Sequence, residues 1–406
     1  MFSALHSPIV RSGWVLCVAL LSWLQWSRPL AAWQNQAIEF DVNQLTPGPM
    51  LLKLPETAST QTEWCISNLG NLPVQWVDRE NRQVAMILPP GSHPRRLKIE
   101  PDTRNRNAWP SVQVREVQDP HRLSISIGAN VVMEYPLATV MPPPKIDAVF
   151  AHSGHIHPLK TPAGHIVTAE FPADHAHQHG IFRAWVNTSF QGKKVDFWNQ
   201  KERTGHVEHE KLMATQSGPI VGQATVSLIH SALQDGKKIP VLRDTLTFRV
   251  WNVAERHIVD IESHETCIAD QPLTVHQYHY GGMAFRGREE WLGKEGARLT
   301  TNELKNRVEG NHTRPNWVAI EGKLGEAVCH VIAMSHPNNF RGPEPVRLHP
   351  DKPYFVFSPP VLGEFIREPG ESRDSHYRYI ASDGPLEPPT VDQWHAAYSA
   401  TNPWRK

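Results

Sequence analysis

Short runs of alternating apolar and polar residues recur along almost the whole chain, and only the tail looks helical. Alternation puts apolar side chains on one face of an extended strand, whereas a helix repeats every three to four residues. Leu123-Ser124-Ile125-Ser126-Ile127 is the clearest case. Further strand candidates before residue 140 are Gly48 to Leu54, Thr62 to Ile66, Val84 to Leu88 and Val112 to Val117. After it come Ile181 to Val186, Gly205 to Met213, Ile220 to Ser231, Val241 to Val253, His257 to Cys267 and Leu273 to His279. Trp317 to Glu321, Ala327 to Met334, Tyr354 to Ser358 and Tyr377 to Ala381 complete the set. Asp235-Gly236 between two runs predicts a hairpin turn. Many strands at this spacing predict an all-β, antiparallel sandwich protein.

Met141 to Lys145 (MPPPK) interrupts the pattern, and consecutive prolines favour a stiff extended connector. The sequence therefore predicts an N-terminal β-sandwich over 33–140 and a larger β domain over 146–385. A tail over 386–406 follows, helical from Thr390 to Ser399, with Thr390 as cap and Trp394 and Tyr398 docking on the body. Arg11, the apolar run Gly13 to Trp26 and the small residues Ala31-Ala32 read as a signal peptide over 1–32. The expectation is an exported protein, periplasmic or extracellular, with a mature chain from Trp33 and no membrane span after cleavage.

Lys plus Arg and Asp plus Glu both number 41, so no net charge draws the chain to nucleic acid. Cleavage would leave Cys65, Cys267 and Cys329, an odd count that argues against a disulfide framework but leaves room for one bridge between an unidentified pair. With no Cys-x-x-Cys, a structural zinc site on cysteine is not expected.

Nine of the 23 histidines fall within residues 152–209. The densest stretch is FPADHAHQHGIFRAW, Phe171 to Trp185, where His175, His177 and His179 would share one face of an extended strand. Three imidazoles on one face suit metal ligation, proton transfer or recognition of a polyhydroxylated ligand better than they suit a core. Further candidates come from Gln277 to Arg288 (His279, Arg286), Ser335 to Arg347 (His336, Asn338, Arg341) and Phe357 to Glu364 (Glu364). The fingerprints of GxSxG hydrolases, HExxH metalloproteases, P-loops and dinucleotide-binding folds are absent.

Five blocks carry a resemblance: SGHIHPLKTPAG (Ser153 to Gly164), FPADHAHQHGIFRAW, VDFW (Val195 to Trp198), YGGMAFR (Tyr280 to Arg286) and SHPNNFRGP (Ser335 to Pro343). In this order they resemble a bacterial exported family of unknown function, often labelled PmoA-like or "methane oxygenase PmoA". The family usually shows Asp-His-Pro-His where this chain has Asp174-His175-Ala176-His177, and Arg or another polar residue where His179 stands. Methane monooxygenase activity is not expected, because such a membrane subunit needs several transmembrane helices. The family is similar to galactose-mutarotase-like β-supersandwiches, which implies carbohydrate chemistry by a His acid and a carboxylate base.

On this reading the protein is a carbohydrate lyase, hydrolase or epimerase. Asp174 orients His175 or His177, which protonate the sugar, His279 assists, and Glu364 or Asp196 takes the opposite proton. Trp185 or Trp198 stacks on the ring, while His179, Arg286, His336, Asn338 and Arg341 bind substrate. One alternative is a divalent-metal enzyme with His175, His177 and either His279 or His336 as ligands. The other is a non-catalytic carbohydrate-binding or envelope protein. No cofactor beyond such a metal is implied.

Overall fold

The computed structural model describes residues 37–41, 47–89, 91, 94, 96–104, 111–384 and 386–400, so the expected signal peptide lies outside the described residues. Eight antiparallel strands form the central sheet. In spatial order they are Gly205–Gln216, Val221–Gln234, Lys237–Trp251, His257–Cys267, Ser372–Asp383, Ala327–Ser335, Trp317–Leu324 and Ala297–Thr301. The expected hairpin joins the second and third, with Asp235 and Gly236 both at positive φ (51° and 74°). That backbone matches the right-handed twist of the flanking strands.

Both faces of this sheet are covered, and the sequence shows it. Along Ser372–Asp383, Tyr377, Tyr379 and Ala381 enter one apolar cluster while Ile380, between them, enters another. The first cluster is shared with a five-stranded sheet (His155–Ile156, Ile181–Ala184, Gly282–Arg286, Tyr354–Phe357, Val346–Leu348) and a four-stranded one (Lys193–Val195, Thr188–Phe190, Leu273–Val275, Phe365–Arg367). The second joins the central sheet to Val77 and Ala85 of the N-terminal sheet and to Val391 and Tyr398 of the C-terminal helix Pro388–Ala400. The fold is all-β apart from this helix and short 3-10 turns. Thr390 is inside the first helical turn and not its cap, because Pro388 and Pro389 start the helix earlier. Trp317 Nε1 donates to Asp392 Oδ1 at 2.7 Å and docks the helix on the sheet.

The N-terminal unit is a six-stranded sheet whose two ends meet in a core of its own, with Met50, Leu88, Leu97 and Ile99 together. The boundary expected at Met141 to Lys145 does not separate cores. The meander Val112–Gln118, His121–Ile127, Asn130–Pro136 contributes Val112, Leu123, Ile125, Met133 and Tyr135 to the main core. The prolines mark a surface connector after the meander, while packing divides the chain between residues 101 and 112. Gln75 fastens the two units: its amide donates to Val221 O at 2.8 Å and accepts from the Ile220 and Val221 N–H groups. Cys65, Cys267 and Cys329 are all buried and no disulfide joins any two of them, so the one bridge left open by the sequence is not formed among them.

An ionic network lies inside the main core. Glu265, fully buried, accepts from Arg183 at 2.5 Å, from Arg367 and from Trp185 Nε1 at 3.0 Å; Arg183 also reaches Asp244 at 3.1 Å. Burial alone would raise the Glu265 carboxyl, but the two guanidiniums hold it below its usual range. Removing one partner of such a network leaves buried charge uncompensated. Glu265→Gln is expected to lower unfolding stability by about 3–5 kcal/mol in urea titrations; a loss below about 1 kcal/mol, the level of an exposed pair, would contradict this.

Candidate functional site

Residues 171–180 do not form the extended strand that the histidine spacing suggested. Two successive turns replace it, closed by His175 N–H to Pro172 O (3.0 Å) and Gln178 N–H to His175 O (2.8 Å). Pro172 and Asp174 are turn formers, and Phe171 enters at φ 48°. His175, His177 and His179 therefore point to different places. The chain returns to the sheet through Gly180 (φ 41°), where a Cβ would lie 1.9 Å from Ile156 O.

Arg286 holds this loop. It ends the strand Gly282–Arg286 and is completely buried. Its guanidinium donates twice to Asp174 (2.5 and 3.1 Å) and to Gln178 Oε1 (2.7 Å). Lys352 Nζ is 3.4 Å from Asp174, and Glu289 accepts the Ala173 N–H at 2.7 Å. Burial would raise the Asp174 carboxyl; the Arg286 bonds outweigh it and hold the group well below the carboxylate range. Asp174 also accepts from His175 Nδ1 at 3.1 Å, which orients that ring.

His177 is half-buried 5.4 Å from His175 between ring centres, and burial, reinforced by His175 and Arg286, lowers it to about 4. It lines a narrow cleft, with a free volume of about 10 Å³, together with Phe182, Ala184, Trp198, Asn199, Tyr280, Gly281, Gly282, Tyr354 and Val356. Tyr280 accepts from Asn199 Nδ2 at 3.0 Å, and burial pushes its hydroxyl up to about 12. His279 is exposed at the rim beside Tyr280, ring centres 4.8 Å apart.

Several expected site residues have other work. Trp185 is buried on Glu265. Trp198 is a wall, stacked on Phe182 at 3.9 Å, and has no free face for a sugar. Asp196 accepts from the Trp198 and Asn199 N–H groups and from the Asn199 amide, which fixes the turn under the cleft. Glu364 is exposed and pairs with His276 Nδ1 at 2.6 Å. Arg341 binds the carbonyls of Pro359, Gly363 and Glu364. His336 is buried against Trp251 and Tyr398 on the opposite face of the central sheet, and Asn338 is exposed beyond it. The metal set His175, His177, His279 and His336 thus does not assemble. Asn199, Tyr280, Lys352 and Tyr354 were not singled out from sequence; of these only Tyr280 stood within a quoted block.

His179 is completely buried behind the loop, with His152 (ring centres 5.2 Å apart) and His155 (4.8 Å). Glu170 Oε1 lies 2.7 Å from His155 Nε2. Donor atoms of His155, Glu170 and His179 all lie within 4.8 Å of one another; the same holds for His165, Cys329 and Asp383, and for His230, Asp244 and Glu265.

The chain belongs to DUF6807, a family of unknown function, which matches residues 122–396. That description gives no support to a methane oxygenase label. No curated protein matches the sequence. Among solved structures, the chain is similar to an alpha-galactosidase from Geobacillus stearothermophilus (8% identity, TM-score 0.34, 67% of this chain and 41% of that one). It is also similar to a polysaccharide lyase (9%, 0.31, 65% and 34%) and to a galactose mutarotase related enzyme from Lactobacillus acidophilus (8%, 0.30, 66% and 97%). The chain thus spans less than half the length of the first two. No helix among the described residues is long and apolar enough to cross a membrane.

Burial lowers His157, His177, His209, His349 and His395 to about 4 and His376 to about 3. Each binds fewer protons folded than unfolded between those values and about 6.5, so stability is lost as pH falls through that window. Glu262 and Glu344, pushed up by burial, oppose this but are fewer; Asp174 gives way only below the window. The melting temperature is expected to fall steadily from pH 6.5 to 4. A flat profile there would contradict the protonation states given above.

Proposed function

We propose that the narrow cleft over the five-stranded sheet receives one hydroxyl-bearing edge of a saccharide or similar polyhydroxylated molecule lying across its mouth, and that His177 and Tyr280 transfer its protons. The observation that carries this reading is that two titratable groups line one cleft beside Phe182, Trp198 and Tyr354, with environments that push their pKa values apart. At neutral pH His177 is an uncharged imidazole able to accept a proton, and Tyr280 a protonated hydroxyl able to donate one. Arg286 and Asp174 set the His177 loop without touching the ligand. Asn199 Nδ2 is taken by Asp196 and Tyr280, but its Oδ1 has no partner among the described residues and is left to accept from a sugar hydroxyl. This assignment reverses the role foreseen for the histidine, which becomes base in place of acid. The chemistry fits a lyase or epimerase, where a proton leaves one carbon and another group is protonated. The same proposal includes export, with Arg11 to Ala32 read as a leader.

A glycan-binding screen with product detection, run on wild type, His177→Ala and Tyr280→Phe, tests it. Both variants are expected to melt as wild type does, and each to lose about 10²–10⁴ in turnover of a saccharide that wild type converts. Binding without conversion by wild type would leave a lectin-like function in place of an enzyme. Unchanged binding and turnover in His177→Ala would overturn the site.

A further inference from the structure

We infer that His155, Glu170 and His179 form a binding site for one divalent transition-metal ion, of the zinc class, behind the loop that carries His177. The backbone brings the three together. Glu170 and His179 face each other across an isolated antiparallel bridge, and His155 pairs with Phe182 on the adjoining strand. Gly180 lets the strands approach closely enough. The donor atoms lie within 4.8 Å of one another, so small side-chain adjustments reach the spacing set by metal bonds of about 2.0–2.2 Å.

The second observation is independent of that spacing. His155 and His179 are 1% and 0% exposed, yet His155 Nδ1 and both nitrogens of His179 have no hydrogen-bond partner among the described residues. Both nitrogens of His152, stacked beside His179, are in the same state. Buried imidazole nitrogens left unpaired are costly. A cation satisfies several at once, and two histidines with one carboxylate are a familiar three-ligand set that leaves a coordination position open. Glu170, whose side chain is 23% exposed, also walls a separate cleft with His157, Arg122, Thr139 and Met141. Entry and exchange of the ion are therefore expected from the Glu170 side. His152 stands as the next donor. Among the described residues Glu170 makes no salt bridge to Arg or Lys; its partner is the candidate ligand His155.

Untagged full-length protein analysed by inductively coupled plasma mass spectrometry is expected to carry, or to take up from Zn²⁺ after chelator treatment, about one metal ion per chain. Chelation should lower the melting temperature and Zn²⁺ restore it. Glu170→Gln and His179→Gln should weaken Zn²⁺ binding at least about tenfold, while His177→Ala keeps full stoichiometry. Should either ligand variant fail to fold, Co²⁺-loaded wild type still decides, through the visible ligand-field bands of a nitrogen- and oxygen-bound ion. No stoichiometric uptake and no thermal shift would overturn the inference and assign the unpaired nitrogens to ordered water. Equal uptake by folded Glu170→Gln and wild type would overturn it too, by placing the ion elsewhere. Because His177→Ala retains metal, failure of this site and failure of the saccharide site are separately visible.

Discussion

A guanidinium leaves water only where oxygen acceptors surround it, and Arg286 is wholly enclosed. Besides the Gly287 carbonyl, its acceptors are the side chains of Asp174 and Gln178, three and seven residues beyond Phe171 in a loop that has no ladder of its own beyond the single bridge of Glu170 with His179. That dependence runs in both directions. Without the loop, Arg286 would be a buried unpaired charge at the end of a core strand. Without Arg286, two consecutive turns carrying Asp174, His175 and His177 would have little to define them. The cleft in front of the loop and the histidine layer behind it therefore share one support.

The support matters because it splits a histidine-rich segment into two chemically different sets. His175 and His177 lie on the side of the cleft and keep some contact with solvent. His179 turns inward to His152 and His155, where water is excluded. Neighbours in sequence thus meet different degrees of burial. His177 can exchange protons with a ligand, whereas the inner set can hold a cation, and burial disfavours the charged forms of His152 and His179.

Much of the scaffold was readable from sequence because its long strands alternate cleanly. Val221–Gln234 and Lys237–Trp251, with Asp235-Gly236 between them, appear as the pattern demanded. Short strands such as Lys193–Val195 or Val346–Leu348 carry too few residues for a period to show. The loop 171–180 misled for a physical reason. Histidines two apart mimic a strand face, but Pro172 and Asp174 favour turns, and only the distant Arg286 decides between the readings. Asp174, His177 and Arg286 were legible as polar residues in apolar company. Lys352 and Asn199 were not, since nothing local separates them from ordinary loop residues. Glu170 was passed over although it lies four residues before Asp174, because its role depends on a bridge partner, not on a motif. The prolines at 142–144 were similarly overread: they mark where the chain crosses the surface, whereas core membership changes some thirty residues earlier.

Diethyl pyrocarbonate modification of the native protein, read by mass spectrometry, tests this division of the histidines most directly. At near-neutral pH, His175 and His177 should be carbethoxylated readily. His152, His155 and His179 should stay unmodified until the protein is unfolded. Modification of the inner three at the rate of the outer two, in folded protein, would contradict the account, because the loop would then not be held as Arg286 and Asp174 hold it here.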